Sequence, residues 1–349
     1  MSDVIVAPET RDLEDLSRDL RDWLGRKLPQ ARDLRLDNFA YPRGAGQSHE
    51  TILFDAHWAE GGIERVKGCV VRIKPEKFTV FPDNLFDEQY RIMKALHEDG
   101  RVRVAEPLWF EADPAVLGKP FFVMEKKQGR VPVSIPPYAR SGWMTELSPE
   151  QRRTLWHDAV TQLALIQTVS TEGFGFLEGP EHARRGLAQE WDKYTRFVDW
   201  LEDVEPQPIL RAGLARLKSE WPEHQPDGLV WGDARIGNMM FGDDCKVVAV
   251  MDWEQPSLGG ALHDLAWFCV IAETMHGPNS THGAPLEGMG SHDETVALWE
   301  QVSGKSSAGL EWYEDFTHFK MTCTGVRLSH LRGTRMMDDE TMARRLRVT

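Results

Sequence analysis

The sequence predicts an α+β chain in two successive parts, a small antiparallel sheet followed by a mainly helical body, on three observations. Between Leu34 and Lys74 the residues run in β-like segments separated by Gly- and Pro-containing turns. Residues 126–147 are a polar, Pro-rich connector. Beyond Ser148 the apolar residues recur at three- and four-residue spacing, the period of a helix face. The expected parts are a leading helix in 1–30, a sheet lobe in 31–125, the connector 126–147 and a helical lobe in 148–349.

Taken in order, Leu13, Leu16, Leu20 and Leu24 give an amphipathic helix over 9–28. Segments 34–41 and 50–58 bracket a turn rich in glycine, and Gly61-Gly62 leads into 64–74, which makes a three-stranded meander. Glycines between the first two strands let backbone amides come close to phosphate oxygens. Arg72 and Lys74 share one face of the third strand, because strand side chains alternate. A helix over 86–96 presents Leu85, Gln89, Ile92, Met93 and Leu96 on one stripe, and two more strands fall within 102–111 and 120–125. Ser148-Pro149-Glu150-Gln151 opens a helix, with Ser148 as N-cap and Gln151 closing the box. Further helices are expected over 181–203, 207–221, 261–275, 292–303, 309–332 and 339–347. Residues 276–290 hold too much Gly and Pro for regular structure; they are expected to form a surface loop bordering an acceptor pocket, with His276 and His282 in solvent.

Composition limits the partners. A length of 349 residues suits one large or two medium domains, and a hydrophobic share of 41% fills their cores. The formal charge of −14 argues against nucleic acid or an anionic membrane surface as partner and is compatible with a cationic substrate. Cysteines 69, 245, 269 and 323 lack paired metal-ligand spacing, and three of them lie in apolar runs, which predicts buried free thiols in a reducing compartment. The first residues lack the basic and apolar regions of a signal peptide, and the run Leu265–Ala272 is too short to span a bilayer. A cytoplasmic location is the expectation.

The chemistry concentrates in 229–268, LVWGDARIGNMMFGDDCKVVAVMDWEQPSLGGALHDLAWF. An apolar strand at Leu229–Trp231 runs into a polar turn, a short apolar piece follows at Met239–Phe241, and a strand over 246–251 ends on Asp252. Asp233, Asn238 and Asp252 thus stand at the mouths of neighbouring strands. One Asp or Asn after a strand is an ordinary turn former. The ordered set fits phosphoryl transfer, which needs a carboxylate facing the acceptor hydroxyl and hard oxygen ligands for magnesium.

Gly232-Asp233 with Asn238, then Asp252-Trp253-Glu254, then Asp264-Leu265-Ala266, resembles the signature of the aminoglycoside phosphotransferase and choline kinase-like family, whose members have the two-lobed protein-kinase-like fold. The resemblance implies a kinase that moves the terminal phosphate of ATP (or GTP) to a hydroxyl of a small molecule, with Mg2+. By that likeness Asp233 is the catalytic Asp, Asn238 and Asp252 hold the metal, and Asp264 is structural. In the first lobe it assigns Gly46 and Ser48 to a loop over the nucleotide phosphates, Arg72 or Lys74 to the phosphate-binding cation, and backbone groups near Met124 to the adenine edge. The Glu that pairs with the cation in the family falls at Gln89, leaving that role to Glu88 or Gln89.

Two departures, Gln89 and a Trp231 where relatives commonly carry His, support a second reading, a catalytically inactive nucleotide-binding module. The intact Asp233, Asn238 and Asp252 favour the enzyme. Gln167 likewise stands near the end of its helix where relatives usually have His. Gly304-Lys305-Ser306 mimics the end of a P-loop, yet Trp299 stands where its first Gly belongs, so Gly304 reads as a helix C-cap.

Overall fold

The structure, a computed structural model, describes residues 11–42, 50–75, 80–278, 280 and 282–348. Two compact units emerge: the described residues of Met1–Thr79 with Ala105–Gln128, and those of Val80–Val104 with Gly129–Thr349.

The first unit is a five-stranded antiparallel sheet with one helix against it. Its strands are β1 (Arg32–Ala40), β2 (Glu50–Glu60), β3 (Ile63–Ile73), β4 (Pro107–Glu111) and β5 (Phe121–Glu125), in the order β1-β2-β3-β5-β4. Helix α1 (Leu13–Lys27) starts where Asp12 accepts the amides of Glu14 and Asp15, and it buries Leu16, Leu20, Trp23 and Leu24. This stripe shares one apolar cluster with Phe54, Val71 and Phe121. Trp23 meets Phe121 edge-on at 4.8 Å and donates its Nε1–H to Glu111 at 2.7 Å, so its polar tip is satisfied inside the core.

The second unit is helical apart from one hairpin. It holds α2 (Phe86–Asp99), α3 (Trp143–Glu146), α4 (Pro149–Ile166), α5 (Leu187–Glu202), α6 (Pro208–Ser219), α7 (Leu262–His276), α8 (His292–Ser303), α9 (Leu310–Arg332) and α10 (Asp339–Arg345). The hairpin pairs β6 (Met239–Phe241) with β7 (Val247–Val250). The capping box of Ser148 and Gln151 opens α4 as the sequence predicts, and Gly304 caps α8 in the left-handed region at φ 71. Residues 80–104, which the sequence groups with the sheet lobe, belong with the helices. The Arg103 amide donates to Gln162 Oε1 at 2.8 Å, its guanidinium reaches Asp158 at 2.6 Å, and Asp83 pairs with Arg196 at 3.0 Å.

Three expectations change. The 181–203 helix is shorter: a 3-10 turn at Glu181–Ala183 precedes α5, and Gly186 lies between them at φ 69. Leu229–Trp231 is not a strand within a sheet; Val230 makes a single antiparallel bridge to Ser257. His276 is not in solvent, because α7 runs on to include it; the ring is 8% exposed and its Nδ1 lies 2.8 Å from the Tyr138 hydroxyl. The half-buried His282 sits 3.2 Å from the Thr274 carbonyl. All four cysteines are free and buried. No helix among the described residues is long and apolar enough to cross a membrane.

Candidate active site

The turn after Trp231 is built on Asp264. Its two oxygens accept the backbone amides of Trp231 (2.6 Å) and Gly232 (2.9 Å), and the residue is 1% exposed. Burial lifts the Asp264 pKa to about 6, although both amide bonds pull the other way. Gly232 has φ +104, and a Cβ there would lie 2.6 Å from the Gln255 carbonyl oxygen, so both conformation and space require glycine. The predicted structural role of Asp264 thus has a physical form: it closes two donors of a tight, buried turn.

Trp231 and Gln167 take over two positions where the resemblance calls for histidine. Trp231 is fully buried under the turn, donates its Nε1–H to the Met251 carbonyl at 2.8 Å, and lies 5.8 Å from the Trp253 ring. One indole thereby ties the start of the turn to the end of β7. Gln167, buried at the end of α4, donates to the Leu229 carbonyl at 2.8 Å and fixes the chain as it enters the turn.

The three residues expected to form the chemical core are brought together. Asn238 donates its side-chain amide to Asp233 Oδ2 at 2.7 Å and to the Asp233 carbonyl at 3.0 Å. The Met251 amide donates to the Asn238 carbonyl at 2.8 Å, which sets Asp252 beside Asn238. Asp252 has φ +62, a left-handed conformation that is uncommon for a non-glycine residue and costs about 1–3 kcal/mol. Asp233 is 35% exposed, so its carboxylate stays open to solvent.

Two residues missed in the sequence hold that carboxylate. Trp267 donates its Nε1–H to Asp233 Oδ1 at 2.9 Å, and Arg235 donates from Nε to Oδ2 at 3.0 Å. Arg235 is fixed in turn by a 2.7 Å bond to Ser134 Oγ. Burial opposes the Arg235 charge, but Asp233 and Asp252 outweigh it and keep the guanidinium firmly protonated.

Under the site lies a buried ion pair. Lys320 Nζ is 3.5 Å from Glu190 and 5.6 Å from the Trp267 ring centre, and both charged residues are 2% exposed. Glu190 also accepts the Ser257 hydroxyl at 2.7 Å, and Ser257 is bridged to Val230. Burial works against the Glu190 charge, yet Lys193, Lys320 and His263 hold its pKa down to about 2. The sequence signal was a charge on each of two apolar stripes, Leu187-Glu190-Tyr194 and Tyr313-Phe316-Lys320.

In the first unit, Arg72 and Lys74 are half-buried on the face opposite Val71 and Ile73, as strand alternation requires. Met124 pairs with Val70 in the sheet. The amides of Glu125 and Lys126 are already bonded, to the carbonyls of Glu106 (2.8 Å) and Gly68 (2.9 Å). Of the two candidates on α2, Gln89 is the buried one, at 1% exposure, and neither of its amide atoms has a hydrogen-bond partner among the described residues; Glu88 is half-buried. Gly46 and Ser48 lie outside the described residues.

The donor set suits a hard divalent cation. Asn238 uses its NH2 group on Asp233, which leaves its carbonyl oxygen, with the Asp252 carboxylate, as oxygen ligands of the kind magnesium takes.

A family model described as "Phosphotransferase enzyme family" matches residues 61–304, more than half of the chain. Among curated proteins, acyl-CoA dehydrogenase family member 11 of Homo sapiens is 27% identical over 284 residues, 77% of this chain and 34% of that protein. The chain spans about a third of the length of the curated relatives it matches. Among solved structures, a Ralstonia eutropha protein assigned as an aminoglycoside phosphotransferase has a TM-score of 0.65 at 21% identity, covering 96% of this chain and 94% of that one. A mutant of aminoglycoside phosphotransferase APH(4)-Ia, in ternary complex with ADP and hygromycin B, has a TM-score of 0.53 at 13% identity, covering 94% and 95%. At these identities the likeness establishes the fold, an antiparallel-sheet lobe and a helical lobe.

Proposed function

Because the chain belongs to the phosphotransferase enzyme family, we propose that it transfers the terminal phosphate of ATP to a hydroxyl of a small molecule, with Mg2+. The observation that carries this reading is the Asp233 carboxylate, oriented from three sides by Trp267, Arg235 and Asn238 yet still open to solvent. Asp233 orients the acceptor hydroxyl and takes its proton as the phosphate arrives. Trp267 and Arg235 keep the carboxylate from turning, so its free lone pairs aim at the acceptor. Asn238 and Asp252 would hold magnesium, which when bound neutralises charge on the phosphate oxygens. Arg72 or Lys74, with the loop of Gly46 and Ser48, would hold the remaining phosphates. ATP is favoured as donor by the ADP-bound complex of a protein of the same fold.

For the acceptor we infer a hydroxylated acyl compound, since a segment like this chain makes up about a third of acyl-CoA dehydrogenase family member 11. The test is ATP consumption with a panel of hydroxyacyl thioesters, hydroxy acids, choline and aminoglycosides, with Asp233→Ala as blank. The expected result is turnover with a hydroxyacyl member of the panel. Asp233→Ala should lower it by about 10²–10⁴-fold and leave nucleotide affinity within a few-fold. Turnover intact in Asp233→Ala would overturn the role of that residue. Magnesium-dependent ATP binding with no turnover on any acceptor would favour the inactive module, for which Gln89 and Trp231 are the motivating departures.

A further inference from the structure

On the second unit, Cys269 of α7, His292 of α8 and Glu314 of α9 bring a sulfur, a nitrogen and an oxygen within 4.8 Å of one another. We propose that these three side chains form a binding site for a zinc-type transition metal ion, which ties α7 to α8 and α9.

The donor types select the ion. A thiolate, an imidazole and a carboxylate are a zinc set, whereas magnesium and calcium take oxygen ligands. Zinc binds such donors at about 2.0–2.3 Å, so atoms already within 4.8 Å of each other need only a small contraction. The imidazole is already oriented for a metal, since His292 Nε2 faces Glu314 at 2.7 Å while Nδ1 faces Asp293 at 3.2 Å. A carboxylate on the far nitrogen is the usual support of a metal-bound histidine. An ion pair between His292 and Glu314 accounts for two members of the group without any metal. It does not account for the thiol, which is 5% exposed and has both polar atoms within 4.8 Å.

An adjoining cleft of about 310 Å³, walled by Val296, Glu300, Leu310 and Glu311 besides His292 and Glu314, leaves room for a solvent ligand in the fourth position. Binding releases the thiol proton and the Nε2 proton shared with Glu314 to solvent, leaves Nδ1–H on Asp293, and replaces the His292–Glu314 hydrogen bond with two bonds to the ion. The charges balance: thiolate and carboxylate together match a divalent cation. Cys269 lies two residues beyond Trp267, about 200° around the helix, so the ion would grip α7 from the side opposite the indole that holds Asp233.

The test uses the metal-stripped protein titrated with Co2+ and then with Zn2+. One Co2+ should bind per chain with a thiolate-to-cobalt charge-transfer band in the near ultraviolet, displaced by Zn2+ and unaffected by excess Mg2+. Cys269→Ala should abolish the band, and His292→Ala should weaken Co2+ by roughly ten-fold or more. No band in the wild type, or a band that survives Cys269→Ala, overturns the site. Should Cys269→Ala fail to fold, His292→Ala and Glu314→Gln on the outer side decide: Co2+ affinity unchanged in both would equally sink it.

Discussion

The sheet unit and the turn around Asp233 are held together by different physics. The sheet core, from Leu16 and Trp23 to Phe54, Val71 and Phe121, is an apolar cluster touched by the Trp23 bond to Glu111, while ion pairs such as that of Lys126 with Asp55 lie outside it. The turn is held by polar groups that are themselves buried: Asp264, Glu190, Lys320, Gln167 and Asn238. Apolar packing is non-directional and tolerates swaps that conserve volume. Buried hydrogen bonds and ion pairs fix angles as well as distances, and they fail together when one partner goes. Under the proposed function the difference matches what each region has to do, since a sheet must persist whereas the turn must aim one carboxylate.

Substitutions on each side test that contrast. The largest expected effect is in the sheet, where Phe121→Ala should cost about 3–5 kcal/mol of unfolding free energy, read by urea denaturation. Asp264→Asn leaves one backbone amide of the turn facing an NH2 group and should cost less, about 1–3 kcal/mol. It should nevertheless lower turnover per folded molecule; silence in both readouts would break the comparison.

Acid provides the third test. Burial and the nearby Lys320 push His263 down to about 3, burial pushes His276 down to about 4, and burial raises Asp264 to about 6. Below pH 6.5 the unfolded histidines take protons that the folded ones refuse, so stability falls as pH drops. Asp264 opposes this between about pH 6 and 4, because its folded form binds a proton more readily than its unfolded form. Two protons less one leaves a net slope of about 1.4 kcal/mol per pH unit from these groups. In His276→Gln that contribution should fall to near zero across the same window. An unchanged slope would mean that His276 is not buried in its neutral form. The smallest effect is expected for Trp267→Phe, which removes one hydrogen bond to Asp233 and keeps most of the ring volume. Turnover should fall roughly two- to ten-fold, about 0.5–1.5 kcal/mol, with KM for ATP little changed.

Periodicity alone determined most of the secondary structure, because the spacing of apolar residues is a local property: the leucine stripe of α1, the meander of β1 to β3 and the capping box of α4 were all readable in order. The motif residues Asp233, Asn238 and Asp252 were readable for the same reason, lying close together along one stretch. What closes around them was not. Trp267, Glu190 and Lys320 reach the site from three separate helices, and residues 80–104 leave the sheet for the helical unit through contacts made far along the chain. Cys269, His292 and Glu314 show no metal spacing in the sequence and meet only where their helices pack. Local spacing encodes which face of an element is buried; which buried charge finds which partner depends on the packing of distant elements, and only the folded chain decides that.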